Sequence, residues 1–159
     1  MAKMKAILVA VDGSSYSDRA VQHALDLVVG GLAAELHLLN VQPNLGGAVS
    51  AFVSRAQLDA HHREEGTKAL ADTLALAQKA GLETHPHIGV GDAARVVLDY
   101  AAEKAVDEIV MGSHGRVTPC VVRKSVNRVS VHFRSGSMSG WKARKFRRQM
   151  IRQDSGSTP

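Results

Sequence analysis

Residues 109–116, IVMGSHGR, join a short apolar run to two glycines and a basic side chain. Glycine lets the backbone approach a ligand closely, and converging backbone N–H groups bind phosphate. Arg116 can add a charge-assisted hydrogen bond. The spacing of Gly112 and Gly115 therefore predicts a phosphate nest, and an ordinary turn is the alternative. His114 has no identifiable carboxylate partner, so we expect a loop residue rather than a catalytic base.

A second polar group, Asp12, directly follows the apolar run 6–11. A carboxylate at the end of a buried strand can face a ligand, or it can cap a helix that begins at Ser14. The residues alone leave both interpretations open.

The elements that position these groups follow from the hydrophobic pattern. Nearly continuous apolar runs indicate strands buried on both faces, and apolar residues at helical spacing indicate amphipathic helices. Pro86 inside the third predicted strand indicates an edge position. The predicted strands are 6–11, 34–43, 82–91 and 106–112, and the predicted helices begin after Ser14 or Ser15, cover about 54–80, and begin after Asp92.

Strands and helices alternate along the chain in the order β-α-β-α-β-α-β. This order predicts an α/β fold with a parallel sheet and helices on both faces. Ligands of such sheets bind at the carboxyl ends of the strands, where the direction of the connections reverses. If the first and fourth strands are neighbours, Asp12 and the glycines after residue 111 face one crevice.

Three segments, ILVAVDGSSYSDRAVQHAL, LHLLNV and DEIVMGSHGR, together resemble the universal stress protein family. The resemblance covers residues 3–124. It implies a Rossmann-like, five-stranded parallel sheet, usually in a homodimer, that binds an adenine nucleotide. The implied ligand is ATP or AMP, with Mg²⁺ held through the nucleotide.

The resemblance also assigns positions in this sequence. Asp12 would lie near the ribose and phosphates or hold the Mg²⁺, the backbone of Val41 would meet the adenine edge, and Met111 would line the pocket. The full set of implied nucleotide-binding residues is Ala10, Val11, Asp12, Val41, Met111, Gly112, His114, Gly115 and Arg116.

The chain departs from the family after Arg116. ATP-binding members carry Gly-x-x-Gly, nine residues, and then Gly-Ser or Gly-Thr. Here that count reaches Ser125 and Val126, so the second phosphate loop is missing. We favour a deletion before TPCVVRK (118–124), which resembles the family's last strand. A degraded remnant in KSVNRV and a frameshift are the alternatives, and we expect ATP binding to be weak, replaced by AMP, or lost.

The short link constrains the last part of the sheet. A parallel crossover needs about a dozen residues or more, and the segment between Gly112 and Thr118 is shorter. We therefore expect the segment 118–124 to be truncated or rearranged: paired antiparallel, exchanged with a partner chain, or irregular.

Charge divides the chain into two parts. Residues 1–116 hold 10 Lys and Arg against 14 Asp and Glu, whereas residues 117–159 hold 10 Lys and Arg against Asp154 alone. We predict an α/β domain over 1–124 and a basic extension, flexible or irregular, over 125–159. Within it, NRVSVHF could form a short strand. The extension could bind nucleic acid, anionic lipid or an acidic protein, or simply be solvated.

Other features restrict the function. Cys120 is the only cysteine, so no intrachain disulfide forms, and an inert buried thiol is expected. The N-terminal apolar run is too short for a signal peptide or membrane span, which predicts a cytoplasmic protein without membrane contact. His61–His62 and the pair His85 and His87 suggest metal spacing, but no third ligand is evident.

The sequence contains no recognisable catalytic constellation, so we do not predict an enzyme. The leading hypothesis is a nucleotide-responsive module of the stress response. The alternative is a scaffold that has lost nucleotide binding and acts through dimerisation and protein contacts.

Overall fold

The computed structural model describes residues 4–45, 52–112, 120–125 and 128–133; for the last two ranges only the backbone is described. The elements in chain order are β1 (Lys5–Val11), α1 (Ser15–Val29), β2 (Ala34–Gln42), α2 (Arg55–Lys79), β3 (Thr84–Val90), α3 (Ala93–Glu103), β4 (Glu108–Met111), β5 (Cys120–Ser125) and β6 (Arg128–Phe133).

The strands form a single sheet with the order β3-β2-β1-β4-β5-β6. Strands β1 to β4 pair in parallel, which confirms the predicted α/β architecture. β3 lies at the edge, as Pro86 indicated, because proline lacks the N–H that a central strand would need.

The segment after β4 returns antiparallel. β5 pairs antiparallel with β4, and β6 pairs antiparallel with β5. The link over residues 112–119 is too short for a parallel crossover, so the prediction that this segment is not a parallel neighbour is confirmed. The boundary predicted at residue 124 falls inside β5, and the predicted strand in NRVSVHF is present as β6. Residues 134–159, with most of the basic extension, lie outside the described residues.

Two apolar cores lie on opposite faces of the sheet. Helices α1 and α2 cover one face, and α3 covers the other, as predicted from the alternation. The first core is built on Ile7, Val9, Val21, Leu38, Leu70 and Val110. The second is built on Leu8, Leu39, Val97, Tyr100, Ala101 and Ile109. Alternate residues of β1 and β2 thus serve alternate faces, which explains why both strands read as continuous apolar runs.

Side-chain capping bonds are present at the starts of two of the three helices. Asp92 accepts a hydrogen bond from the backbone N of Arg95 at 3.0 Å, which confirms it as the cap of α3. Ser54 and Gln57 form a reciprocal capping box at the start of α2. Ser14 is the cap position of α1, but its side chain makes no capping bond to the helix backbone. Within the described ranges, no helix is both long and apolar enough to cross a membrane.

Candidate functional site

The connections of the sheet reverse direction beside β1. From β1 the chain builds β2 and β3 on one side, and β4 then pairs on the other side of β1. In this register Ala10 lies opposite Met111. The carboxyl ends of β1 and β4 therefore meet, and the crevice predicted between them is present.

A cavity of about 320 Å³ opens at this point. Its size is at the lower end of the range for small-molecule sites, about 300–1,000 Å³. It brings together six of the nine residues predicted from the sequence: Ala10, Val11, Asp12, Val41, Met111 and Gly112. The other three, His114, Gly115 and Arg116, lie outside the described residues. As nucleotide contacts, all nine stay predictions.

Asp12 is tied to the first turn of α1. Its Oδ1 accepts hydrogen bonds from the backbone N of Ser14 at 3.0 Å, from Ser14 Oγ at 2.5 Å and from Ser17 Oγ at 3.0 Å. The bond to the backbone N of Ser14 closes an Asx turn, and the Ser14 hydroxyl is directed at Asp12 rather than at the helix backbone. Among the described residues, no hydrogen bond uses Oδ2 of Asp12, so this oxygen can meet a ligand.

These hydrogen bonds also set the charge of Asp12. Partial burial alone would raise the pKa of the carboxyl, but the bonds from Ser14 and Ser17 outweigh it and hold the pKa below its usual value of 3.8. Asp12 is therefore ionised at neutral pH. A carboxylate at this position repels a bare phosphate, but it can accept hydrogen bonds from ribose hydroxyls or join a cation to a phosphate.

Gly112 packs directly against the start of α1. A Cβ atom at this position would lie 2.7 Å from the carbonyl carbon and oxygen of Tyr16. Such a contact involves backbone atoms, which cannot move aside as a side chain could. Gly112 is therefore required by a close approach between the end of β4 and α1, in addition to its predicted part in a phosphate nest.

A buried amide links the strand ends beside the crevice. Asn40 donates from Nδ2 to the carbonyl oxygen of Val11 at 2.8 Å, and Gln42 donates to Asn40 Oδ1 at 2.7 Å. Asn40 is 2% exposed. This chain of hydrogen bonds joins the ends of β1 and β2 and holds the backbone beside Val41 in place.

The wall opposite β1 is formed by the start of α3, which the sequence did not reveal. Ala93, Ala94 and Val97 line the cavity from this side, and Tyr16, Ser17 and Leu39 complete the lining. Gly89 lets α3 lie close to the sheet, since a Cβ there would come within 2.4 Å of Val96 Cγ1. The small side chains of Ala93 and Ala94 leave room for a flat ligand. In the sequence, this close approach of α3 is marked only by the two glycines of GVGD (89–92) and the two alanines that follow them.

Metal ligands do not gather in the described residues. In these ranges, no group of three or more His, Cys, Asp or Glu residues is arranged to hold a metal ion. The lining of the cavity contains one carboxylate, that of Asp12. A Mg²⁺ ion at this site would therefore depend on phosphate oxygens for most of its ligands.

The second polar cluster of the sheet lies on the α3 side, at the other end of β2. His37, which is 7% exposed, forms a hydrogen bond between Nδ1 and Tyr100 Oη at 3.0 Å, and its Nε2 lies 3.4 Å from Glu35 Oε1. Burial is the largest influence on Tyr100 and raises its pKa. The predicted pair His85 and His87 lies nearby, with the His85 ring 5.0 Å from that of His37. The His37–Tyr100 bond joins α3 to β2.

Comparison with protein families identifies a match over most of the chain. The model of the universal stress protein family matches residues 3–129. Universal stress protein YxiE of Bacillus subtilis is 30% identical over 117 residues, which are 69% of this chain and 78% of that protein. Universal stress protein MJ0531 of Methanocaldococcus jannaschii is 28% identical over 114 residues, 70% of this chain and 66% of that protein's length.

Solved structures show the same fold. A universal stress protein family member from Burkholderia pseudomallei superposes with a TM-score of 0.58 at 29% identity, covering 69% of this chain and 82% of that one. A family member from Arabidopsis thaliana, solved with AMP bound, superposes with a TM-score of 0.53 at 20% identity, covering 70% of this chain and 78% of that one.

Proposed function

The chain belongs to the universal stress protein family, and from this premise we propose that it binds an adenine nucleotide in the cavity between the ends of β1 and β4. The observation that carries the proposal is the convergence of residues distant in sequence on one cavity. Asp12 directly follows β1, Val41 lies in β2 and Met111 in β4, and all three line the same space. The proposed role is binding that responds to cellular nucleotide, without strong catalysis.

The shape of the cavity supports a base and a sugar as the main bound groups. Leu39, Val41, Val97 and Met111 offer apolar surface to a flat base. The backbone of Val41, which lines the cavity, is the proposed partner of the adenine edge. Asp12 also lines the cavity, and its Oδ2 can accept a hydrogen bond from a ribose hydroxyl.

The part of the site that would bind phosphate favours a nucleoside monophosphate over a triphosphate. The nest predicted from Gly112 to Gly115 offers one set of backbone N–H groups, and the sequence lacks the second Gly-Ser loop. The solved relative from Arabidopsis thaliana carries AMP. We therefore propose AMP as the better ligand and ATP, with Mg²⁺, as the weaker one.

The missing Gly-Ser loop also supports a second function, that of a scaffold that binds no nucleotide. β5 and β6 form an antiparallel addition to the sheet in this chain. A protein that has lost its second phosphate loop could act only as a scaffold, through a homodimer or another protein contact. Cytoplasmic location and a homodimer remain part of both proposals. The basic extension over 125–159 is the proposed contact for nucleic acid or an acidic protein.

The experiment that separates the two functions uses the protein as purified, without added nucleotide. The protein is denatured, and any released adenine nucleotide is identified by mass. Recovery of AMP or ATP in proportion to the protein supports the nucleotide function. Protein that releases no nucleotide, and that also gives no heat on calorimetric titration with AMP or with ATP and Mg²⁺, supports the scaffold.

A further inference from the structure

A second concave surface lies on the other side of the sheet, between α2 and the edge strand β3. This open depression has a volume of about 710 Å³ and shares no lining residue with the cavity at β1 and β4. We call it the edge groove and define it by His62, Arg63, Leu70, Leu74, Ile88 and Val90. Its volume lies within the range of small-molecule sites.

The body of the edge groove is apolar. Leu70 is 4% exposed and belongs to the first core, whereas Leu74 and Ile88 are partly buried against that core. Val90 is 47% exposed at the end of β3. The groove therefore presents aliphatic surface that continues from the core of the protein to solvent, and an apolar ligand body would remove part of it from water.

The walls of the groove are fixed by a close helix–strand contact. A Cβ on Gly66 would lie 2.7 Å from Ile88 Cγ2, so α2 rests directly on the edge strand at this glycine. Because β3 is the last strand on this side, no further strand covers the groove among the described residues. The groove is thus a formed surface rather than a gap between loops.

One end of the groove holds a buried polar group without a partner. His62 is 7% exposed, and its Nε2 makes no hydrogen bond within the described part of the chain. Buried ring nitrogens are normally paired, so an unpaired one calls for an explanation. Because His62 also lines the groove, a polar group of a ligand bound there is the proposed partner of Nε2.

The neighbouring residue supplies a positive charge. Arg63 lines the groove and is exposed, and the structure gives its guanidinium no hydrogen bond or ion pair with any described residue. Asp59 is the single acidic residue of the lining. A planar carboxylate suits this end, since it can take two parallel hydrogen bonds from one guanidinium.

From these contacts we infer that the edge groove binds a small amphiphilic carboxylate, a molecule with one carboxylate and an aliphatic body. The carboxylate pairs with Arg63 and accepts a hydrogen bond from His62. The aliphatic body lies on Leu70, Leu74 and Ile88. This inference does not rest on the proposed nucleotide function, because the two sites share no lining residue.

The test uses the full chain and decanoate as the probe. Decanoate is titrated while the ring signals of His62 and the methyl signals of Ile88 are followed by NMR. Both sets of signals are expected to shift in a saturable way. Saturating AMP is expected to leave the decanoate affinity unchanged. Absence of these shifts, or displacement of decanoate by AMP, would overturn the inference.

Variants and a neutral analogue test the carboxylate contact. Arg63→Gln is expected to weaken decanoate binding at least about tenfold, because the charged guanidinium and its paired hydrogen bonds are lost. Lys68→Gln removes the same charge from α2 outside the groove and is the matched control. Decanol has the same aliphatic body and is expected to bind at least about tenfold more weakly than decanoate. Equal losses in the two variants, or equal binding of decanol, would contradict recognition by Arg63.

Discussion

Ser17 Oγ lies 3.0 Å from Asp12 Oδ1 and donates a hydrogen bond to it, so the first turn of α1 holds the carboxylate at the end of β1. The same hydroxyl lies 2.7 Å from the carbonyl oxygen of Ser14, so its one proton is shared between the two acceptors. Ser17 is 2% exposed, and it lines the cavity together with Asp12. The position of the proposed ligand-binding carboxylate is thus set by the helix start rather than by the ligand.

The stability of the protein should depend on the ionisation of Asp12. Its folded-state pKa is depressed by the hydrogen bonds from Ser14 and Ser17. The stabilisation is therefore complete above the usual pKa of 3.8 and is lost as the pH falls through the lower, folded-state pKa. Asp12→Asn should be less stable than wild type near pH 6, and the difference should shrink towards pH 3, in urea unfolding at each pH.

Asp72→Asn is the control for this experiment, since it removes an exposed carboxylate on α2. A stability difference between wild type and Asp12→Asn that stays constant from about pH 6 to pH 3 would show that ionisation of Asp12 does not contribute.

A methyl group at residue 112 should destabilise the fold. Gly112→Ala places a Cβ 2.7 Å from backbone atoms of Tyr16, so β4 or α1 must shift. We expect a loss of about 1–3 kcal/mol, the usual cost of overpacking. Gly30→Ala adds the same group at the end of α1, where the nearest atom, Asp26 O, is 3.2 Å away, and should cost less. Chemical unfolding of both variants measures the difference, and equal losses would argue against the close contact.

Filling the α3 wall should block the cavity without unfolding the protein. Ala94→Leu introduces a larger side chain into the lining, so AMP affinity should fall at least about tenfold, while stability changes by about 1 kcal/mol or less. Ala102→Leu is the matched control on the exposed part of α3. Unchanged AMP affinity in Ala94→Leu, measured by calorimetry, would place the nucleotide elsewhere.

The bond between His37 and Tyr100 should contribute to holding α3 on the sheet. Tyr100→Phe leaves Nδ1 of the buried His37 without this partner, and the expected loss of stability is about 1–3 kcal/mol. A double-mutant cycle with His37→Leu isolates the bond itself. We expect a coupling energy of about 0.5–1.5 kcal/mol, and additive effects of the two substitutions would mean that the bond contributes nothing.

The sequence could predict the parts of the site that lie at strand ends. Asp12 and Gly112 stand out because polar or flexible residues there interrupt continuous apolar runs. Val41 came only from the family resemblance, since nothing in its own type marks a ligand contact. The antiparallel return of β5 was one of the outcomes left open by the length of the link over residues 112–119.

Other features depend on how the elements pack, which periodicity does not specify. Ala93 and Ala94 enter the site because Gly89 lets α3 approach the sheet, and small apolar side chains carry no chemical signature. The partners His37 and Tyr100 are 63 residues apart, so neither predicts the other. The edge groove depends on the close contact between Gly66 and Ile88. A glycine within a helical pattern does not by itself predict such a contact.

The most direct test of the nucleotide proposal is a calorimetric titration of the full chain with AMP, compared between wild type and Asp12→Asn. The wild type should bind AMP saturably, Asp12→Asn should lose at least about tenfold in affinity, and Asp72→Asn should bind as the wild type does. ATP with Mg²⁺ should bind more weakly than AMP. Absence of binding by the wild type, or equal affinity in Asp12→Asn, would contradict a nucleotide site at the ends of β1 and β4.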